Sequence, residues 1–109
     1  IQALSHLTLN YRAEIGPGLC ILHSTQGCVI GPDVVIGDNL TMVGGNIIGR
    51  KKNFTVGEYI IGNNVELGAN AVIIGPLKIG NNVKIGASAC VVKDSDSNIT
   101  LVGVPAHQL

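Results

Sequence analysis

The chain has 109 residues, which is about the length of one domain and enough to bury a core. Only 13% of the residues are charged and the formal net charge is zero, so the basic surface of a nucleic-acid binder is not expected. Hydrophobic residues make up 46% of the chain but aromatic residues only 3%, which excludes disorder and favours many short strands around an aliphatic interior.

A six-residue period runs through most of the chain. The positions that share it carry large aliphatic side chains, and in chain order they are Leu9, Ile15, Ile21, Ile30, Ile36, Met42, Ile48, Ile61, Leu67, Ile73, Ile79, Ile85 and Val91. The phase shifts twice, between Ile21 and Ile30 and between Ile48 and Ile61. Because six is a multiple of the strand period of two, each repeat can point residues i−2 and i inward and then turn a corner.

Short segments rich in glycine and asparagine follow these aliphatic positions. They are Gly16-Pro17-Gly18, Gly31-Pro32-Asp33, Gly37-Asp38-Asn39, Gly62-Asn63-Asn64, Gly80-Asn81-Asn82 and Gly86-Ala87-Ser88. Glycine and asparagine tolerate positive φ, so each segment is a predicted corner. Three sides then make a triangular coil of about 18 residues, and coils stack about 4.8 Å apart. We predict one all-β domain over residues 1–109, a parallel β-helix of about five coils over 9–96 with a tail at 97–109.

Three stretches of the chain carry a wider resemblance. Residues 15–23 end in His23, residues 61–71 read IGNNVELGANA, and residues 103–106 read GVPA. They are similar to parts of the hexapeptide-repeat acyltransferases, near the group of serine acetyltransferases and saccharide O-acetyltransferases. The resemblance implies a left-handed β-helix, direct transfer of an acetyl group from acetyl-CoA to a hydroxyl, and assembly as a homotrimer. Because the chain starts at Ile1 rather than methionine, we expect that residues precede it in the natural protein.

His23 lies two residues after Ile21, where the six-residue period breaks. We expect it on an outward corner beside a small bulge formed by residues 24–28. A histidine in such a place can serve as a general base near neutral pH. The resemblance puts the catalytic histidine of these enzymes at this position, so His23 is the candidate base. His6 and His107 lie near the chain ends and are expected to be surface residues.

The second break, residues 49–59, holds the consecutive basic residues Arg50 to Lys52. A charge run of this kind is usually a solvated loop, and the alternative is a clamp for the phosphates of coenzyme A. The resemblance implies a loop beside the acyl donor, which makes Gly49 and Arg50 candidate cofactor-binding residues. Further candidates are small corner residues along which pantetheine could lie, and a lysine that could meet a phosphate: Gly68, Ala69, Gly86, Ala87, Ser88 and Lys93. Small residues also simply make tight corners.

Three positions depart from the serine acetyltransferase pattern. Leu22 and Thr8 stand where that group carries aspartates, and Glu58 stands where it carries a second histidine. We therefore expect a saccharide hydroxyl as acceptor, with Glu58 as a second candidate catalytic residue that orients or polarises a group near the site. Two alternatives stay open: a serine O-acetyltransferase of unusual sequence, and a non-catalytic trimeric β-helix scaffold that binds no coenzyme A.

Composition and spacing also predict the partners and location. Several outward-facing positions are apolar or thiol, which favours burial against a partner subunit; they are Cys20, Val29, Val35, Ile60, Val72 and Cys90. Cys28 should point inward and be inert. No HxxxxH spacing is present, so no metal is expected. No apolar run reaches the roughly 18 residues of a membrane helix and no signal-peptide layout begins the chain, so we expect a cytoplasmic protein without a membrane segment.

Overall fold

The computed structural model describes residues 7–23 and 26–109, and it consists of short strands that form three parallel sheets. Sheet 1 contains β1 (Leu7–Leu9), β4 (Cys28–Ile30), β7 (Ile47–Arg50), β10 (Val72–Gly75) and β13 (Cys90–Val91). Sheet 2 contains β2 (Glu14–Ile15), β5 (Val35–Ile36), β8 (Ile60–Ile61) and β11 (Lys78–Ile79). Sheet 3 contains β3 (Cys20–Ile21), β6 (Thr41–Met42), β9 (Glu66–Leu67), β12 (Lys84–Ile85) and β14 (Thr100–Val102), followed by β15 (His107–Gln108), which runs antiparallel to β14.

The chain visits sheets 1, 2 and 3 in turn, which is the topology of a parallel β-helix. The predicted all-β coil is therefore confirmed, but the number of coils differs slightly from the expected five. Four coils are complete, and in the fifth the second side is reduced to one bridge between Ile79 and Ser95. The segment between Val91 and β14 is too short to form a full strand in sheet 2. Beyond Asp96 the chain adds β14 to sheet 3 and folds back through β15.

The aliphatic period-six positions form the interior, as the spacing predicts. From Ile30 to Val91 all of them are buried, and the residues two positions earlier are buried with them. In register, Ile36 lies beside Ile61 and Ile61 beside Ile79, so like side chains stack on like. Cys28 is buried, which confirms the inward orientation predicted for it. Burial of this kind contributes about 25 cal/mol per Å² of apolar surface and is the main force that holds the coils together.

The corner between sheets 2 and 3 is built by an asparagine ladder. Asn39, Asn64, Asn82 and Asn98 all adopt positive φ between 56° and 62°. The side-chain amide of each of the first three donates to the carbonyl oxygen of the next, at 3.0–3.2 Å. The predicted corners at Gly18, Asp33 and Ser88 also have positive φ, which confirms their turn conformation.

The two phase shifts of the sequence are two enlarged corners. Three extra residues separate Ile21 of β3 from Ile30 of β4, and seven extra residues separate Ile48 of β7 from Ile61 of β8. We call the edge between sheets 3 and 1 the His23 corner; its described residues are 22–23, 26–27, 43–45, 68–70, 86–88 and 103. We call the edge between sheets 1 and 2, from the third coil onward, the basic corner; it comprises residues 50–58, 75–76 and 93–94.

Candidate functional site

His23 is exposed at the first turn of the His23 corner. Its backbone N–H donates to the carbonyl of Val43 at 2.9 Å, and its own carbonyl accepts from the N–H of Gln26 at 3.1 Å. The N–H of His23 is therefore tied to the next coil and its carbonyl closes the loop onto Gln26, while the side chain is exposed. Leu22, next to it, is 58% exposed, so the surface beside the imidazole is apolar. Ser24, Thr25 and His6 lie outside the described residues.

A column of small residues follows His23 along the same corner. The strand registers place Gly44, Ala69 and Ala87 on successive coils below it, and Gly103 on the last. The corner is held together by bonds from Asn70 N–H to the Gly44 carbonyl and from Ser88 N–H to the Ala69 carbonyl, both 2.8 Å long. The corner is also tight, because a Cβ placed on Gly68 would lie 2.7 Å from the backbone nitrogen of Ala87.

Six of the candidate residues are thus brought to one edge of the molecule. They share the His23 corner and are His23, Gly68, Ala69, Gly86, Ala87 and Ser88. On the three coils that follow the histidine, residues 44–45, 68–70 and 86–88 carry no side chain larger than serine apart from Asn70. The result is a column of small residues about 14 Å long below His23, made mostly of backbone and small side chains.

The other candidates lie at the basic corner. Arg50, Gly75 and Lys93 occupy equivalent positions of three successive coils, so the Arg50 and Lys93 backbones are about 10 Å apart. Gly49 ends the buried part of β7, and its carbonyl accepts the hydroxyl hydrogen bond of Tyr59 at 2.7 Å. Both Arg50 and Lys93 are exposed, as phosphate-binding side chains would have to be.

Tyr59 anchors the long loop of the basic corner. Its ring is buried, packs edge-on against Phe54 with ring centres 5.5 Å apart, and fills the space above Gly75. A Cβ on Gly75 would lie 2.6 Å from the Tyr59 ring, so the ring requires glycine there. Burial raises the pKa of the Tyr59 hydroxyl far above its ordinary range, and the group stays a neutral hydrogen-bond donor. Sequence reasoning missed Tyr59, although its place two residues before Ile61 is an inward position.

The loop borders an open cleft of about 390 Å³. Three lysines and two carboxylates line it together with an apolar floor; the lining residues are Lys51, Lys52, Glu58, Pro76, Leu77, Lys78 and Asp94. The Glu58 carboxylate accepts the N–H of Thr55 at 2.6 Å, which closes a turn at the tip of the loop. Lys51, Lys52 and Lys78 were not among the predicted site residues, although the first two belong to the basic run.

The two groups of candidates are separated by the width of sheet 1. Six residues lead from Gly44 at the His23 corner to Arg50 at the basic corner through β7, which is roughly 20 Å of extended chain. Within one chain, His23 and the pair Glu58 and Arg50 therefore do not meet. Among residues 7–23 and 26–109, no three His, Cys, Asp or Glu side chains come together as a possible metal site. No helix in the same residues is long and apolar enough to cross a membrane.

Comparison with known proteins points to one family. Residues 58–93 match the family described as bacterial transferase hexapeptide (six repeats). The chloroplastic serine acetyltransferase 1 of Arabidopsis thaliana is 43% identical over 96 residues, which cover 87% of this chain and 30% of that protein. The crystal structure of serine acetyltransferase from Neisseria gonorrhoeae is 37% identical, with a TM-score of 0.86 over 95% of this chain and 40% of its own.

Two further structures carry ligands. The Neisseria gonorrhoeae enzyme in complex with serine has a TM-score of 0.83 at 37% identity, and it is covered over 41% of its length by 93% of this chain. Serine acetyltransferase of Brucella abortus in complex with coenzyme A has a TM-score of 0.83 at 30% identity, with 93% of this chain and 40% of its own chain covered. The chain thus spans 30% to about 40% of the length of these relatives.

The repeat, the three-sided coil and these matches define a hexapeptide-repeat protein with a left-handed parallel β-helix. The chain carries the bacterial transferase hexapeptide repeat over residues 58–93, and over most of its length it is similar to the serine acetyltransferases.

Proposed function

We propose that this chain is the β-helix part of an acetyl-CoA-dependent O-acetyltransferase in which His23 is the general base. The observation that carries the proposal is the His23 corner, where an exposed histidine stands at the head of a column of small residues. The same corner belongs to a chain that is 37% identical to serine acetyltransferase of Neisseria gonorrhoeae over nearly its whole length.

The proposed reaction needs no covalent enzyme intermediate. The imidazole of His23 takes the proton of the acceptor hydroxyl as its oxygen attacks the carbonyl carbon of the thioester. A tetrahedral oxyanion forms, and backbone N–H groups of the corner are suited to stabilise it. The carbon–sulfur bond then breaks, and the thiolate of coenzyme A leaves and recovers the proton from the imidazolium. The products are the acetyl ester and free coenzyme A, so atoms and charge balance.

The proposed active unit is a homotrimer, and the outer face of sheet 1 supports this. The outward positions of four successive strands are aligned in register and apolar or thiol: Val29, Ile47, Val72 and Cys90. Val29 is 39% and Ile47 is 42% exposed in the single chain. The equivalent stripe on sheet 3 instead carries Thr41, Glu66 and Lys84. The corresponding positions of sheet 2 carry only Val35 and Ile60 between Glu14 and Lys78, so the apolar stripe on sheet 1 is the longest of the three. A stripe of this length favours burial against another copy.

Packing on sheet 1 would also complete the site. This face is bounded on one side by the His23 corner and on the other by the basic corner. Threefold rotation about an axis parallel to the coils brings opposite margins of neighbouring faces together. The His23 corner of one protomer would then meet the basic corner of the next, which removes the separation of roughly 20 Å within one chain.

Coenzyme A is proposed to span these two corners. Its pantetheine arm would lie along Gly68, Ala69, Gly86, Ala87 and Ser88, and its phosphates would meet Arg50 and Lys93 with the cleft lysines. Replacement of both Lys51 and Lys52 by alanine should raise KM for acetyl-CoA about 10-fold and leave kcat within about twofold. Ion pairs of exposed side chains contribute up to about 1 kcal/mol each, and a tenfold change corresponds to about 1.4 kcal/mol. Steady-state kinetics at low and high salt measures this, and the difference should shrink as salt screens the phosphates.

The matched control for the double variant is Lys84→Ala. Lys84 is an exposed lysine on the outer face of sheet 3, away from the cleft. Its removal should leave KM unchanged. An equal KM for wild type and the double variant would show that the basic run is only a solvated loop.

Serine is the first acceptor that we propose, because the similar proteins are named serine acetyltransferases and one was crystallised with serine. A saccharide is the second candidate, and the observation that favours it is the exposed Leu22 beside His23. Thr8 and Glu58 likewise depart from the serine acetyltransferase pattern, and Glu58 already closes a loop turn. A carboxylate at positions 8 and 22 would suit the amino group of serine, whereas Leu22 suits the apolar face of a sugar ring.

The deciding experiment is release of the coenzyme A thiol from acetyl-CoA in the presence of L-serine or a panel of sugars. We expect release with serine at least about 10-fold above the rate with any sugar, a discrimination typical of sites built around the polar groups of one substrate. Release with a sugar alone would replace serine by a saccharide. No release together with no binding of acetyl-CoA in calorimetry would leave the scaffold alternative.

A further inference from the structure

Apart from Tyr59 with its hydroxyl, Asn46 is the one buried polar or charged side chain in residues 7–23 and 26–109, with 0% of its surface exposed. It occupies the inward position two residues before Ile48, on sheet 1. The neighbouring coils carry Cys28, Ala71 and Ala89 at the same place. An amide in this aliphatic interior is costly unless its donors and acceptor are all bonded, so a purely packing role would be filled better by an apolar side chain.

The hydrogen bonds of Asn46 converge on the His23 corner. Its Oδ1 accepts the N–H of Gly44 at 3.0 Å. Its Nδ2 donates to the carbonyls of Gly68 at 2.8 Å and Ala71 at 3.0 Å, on the next coil. The thiol of Cys28 on the preceding coil lies 3.9 Å from Oδ1. One side chain thus links three successive turns of this corner.

The hydrogen bond to Gly44 connects Asn46 to the backbone of His23 through one peptide unit. The peptide unit between Val43 and Gly44 is planar, and it is held at both ends. Its carbonyl accepts the N–H of His23 at 2.9 Å, and its N–H donates to Asn46. Rotation of this plane would break both bonds together. Such a rotation is otherwise easy here, because two consecutive glycines, Gly44 and Gly45, have φ of 152° and 67°.

A residue larger than glycine at position 44 would clash with the loop that carries His23, so a side chain there could not hold the Val43–Gly44 peptide in place. A Cβ on Gly44 would lie 2.8 Å from the side-chain oxygen of Gln26 and 3.2 Å from the carbonyl of His23. The loop that carries His23 therefore packs directly on Gly44. The N–H of Gly44 is held by its hydrogen bond to Asn46.

We infer that Asn46 is a positioning residue for His23: it fixes the Val43–Gly44 peptide and, through it, the backbone that carries the imidazole. It touches no substrate in this arrangement. The kinetic consequence of the inference rests on the proposed function, but its structural consequence does not.

Amide hydrogen exchange of Asn46→Leu measured by NMR tests the structural consequence. Leucine has a branched shape similar to that of asparagine and suits the apolar interior. We expect the His23 amide to exchange at least about 10-fold faster than in wild type, while the Gly86 amide, bonded to Leu101 on a distant coil, changes little. Equal acceleration at both amides, or none at His23, would overturn the inference.

Two further variants complete this test. Val83→Ala removes a buried side chain of sheet 3 and should lower the Tm without changing the ratio of His23 to Gly86 exchange. Asn46→Asp, measured at acidic pH, is the second variant if the leucine protein does not fold, because its protonated carboxyl keeps an oxygen for the Gly44 N–H and a donor for the Gly68 or Ala71 carbonyl. Its His23 protection should stay within about threefold of wild type, and a loss as large as about 10-fold would contradict the role of Oδ1.

The kinetic consequence is a split between kcat and KM. Asn46→Leu should lower kcat about 10-fold or more and leave KM for acetyl-CoA within about twofold, as expected when a base is misplaced and the groups that bind the donor stay as they were. An unchanged kcat, or a change in KM alone, would refute the kinetic role. If wild type transfers no acetyl group at all, the proposed function fails, and the exchange experiment still decides the role of Asn46.

Discussion

Replacement of His23 by alanine is expected to lower kcat by about 10²–10⁴-fold, the range that loss of a general base produces. The fold should not change, because the side chain is exposed and leaves no cavity. The bonds that its backbone makes to Val43 and Gln26 do not depend on the imidazole. Affinity for acetyl-CoA should stay within about twofold, since the base acts on the acceptor hydroxyl and not on the donor.

The measurement is thiol release with the best acceptor, alongside the thermal unfolding midpoint and the sedimentation of each protein. The matched control is His107→Ala, which removes the other exposed histidine in the part of the chain that the structure describes. His107 lies beside Gly103, four coils and about 19 Å from His23 along the same corner. We expect full activity in the control. An active His23→Ala enzyme would remove the general base from the mechanism.

The fold could be predicted from the sequence because one physical rule repeats in it. A buried aliphatic residue every six positions can only be satisfied by sides that are extended and corners that are sharp. Asparagine and glycine supply the corners, and the ladder of Asn39, Asn64, Asn82 and Asn98 shows why asparagine recurs at one of them: each side chain bonds to the next coil.

The last coil could not be predicted in the same way. After Val91 the period is lost, and the chain pairs Ser95 with Ile79 by one bridge before it returns as β14. No hydrophobic spacing marks that bridge, since Ser95 is polar. A six-residue period predicts the positions of the residues that follow it. It cannot predict the path of a segment in which the period is lost.

The candidate site was predictable only in part, for a related reason. Corner residues such as Ala69 and Ala87 stack below His23 because each coil repeats the last, so their juxtaposition follows from the period. The loop of residues 50–58 interrupts the period. Tyr59, which anchors this loop, packs in the space above Gly75 on the next coil, and the period does not predict that contact. The acceptor is the least predictable feature, because departures at Leu22 and Glu58 pointed to a saccharide while the comparisons favour serine.

The outer face of sheet 1 gives the second large expected effect. Ile47→Glu places a carboxylate in the middle of the apolar stripe, at a position that is 42% exposed in the single chain. The monomer should still fold, because the side chain points away from the interior. The proposed trimer should not form, since an unpaired charge buried between subunits costs several kcal/mol at each contact. Activity should fall on the order of 100-fold or more, because the His23 corner is then separated from the basic corner of its neighbour.

Analytical ultracentrifugation and thiol release on the same samples measure this, with Thr100→Glu as the matched control. Thr100 is an outward residue of sheet 3 and lies beside Lys84 in register, so the new carboxylate meets a lysine on a face that stays in water. The control should remain trimeric and active. A trimeric Ile47→Glu protein would move the interface to another face. A monomeric but fully active one would mean that His23 works without a neighbour, and the separation of the two corners would then need a different explanation.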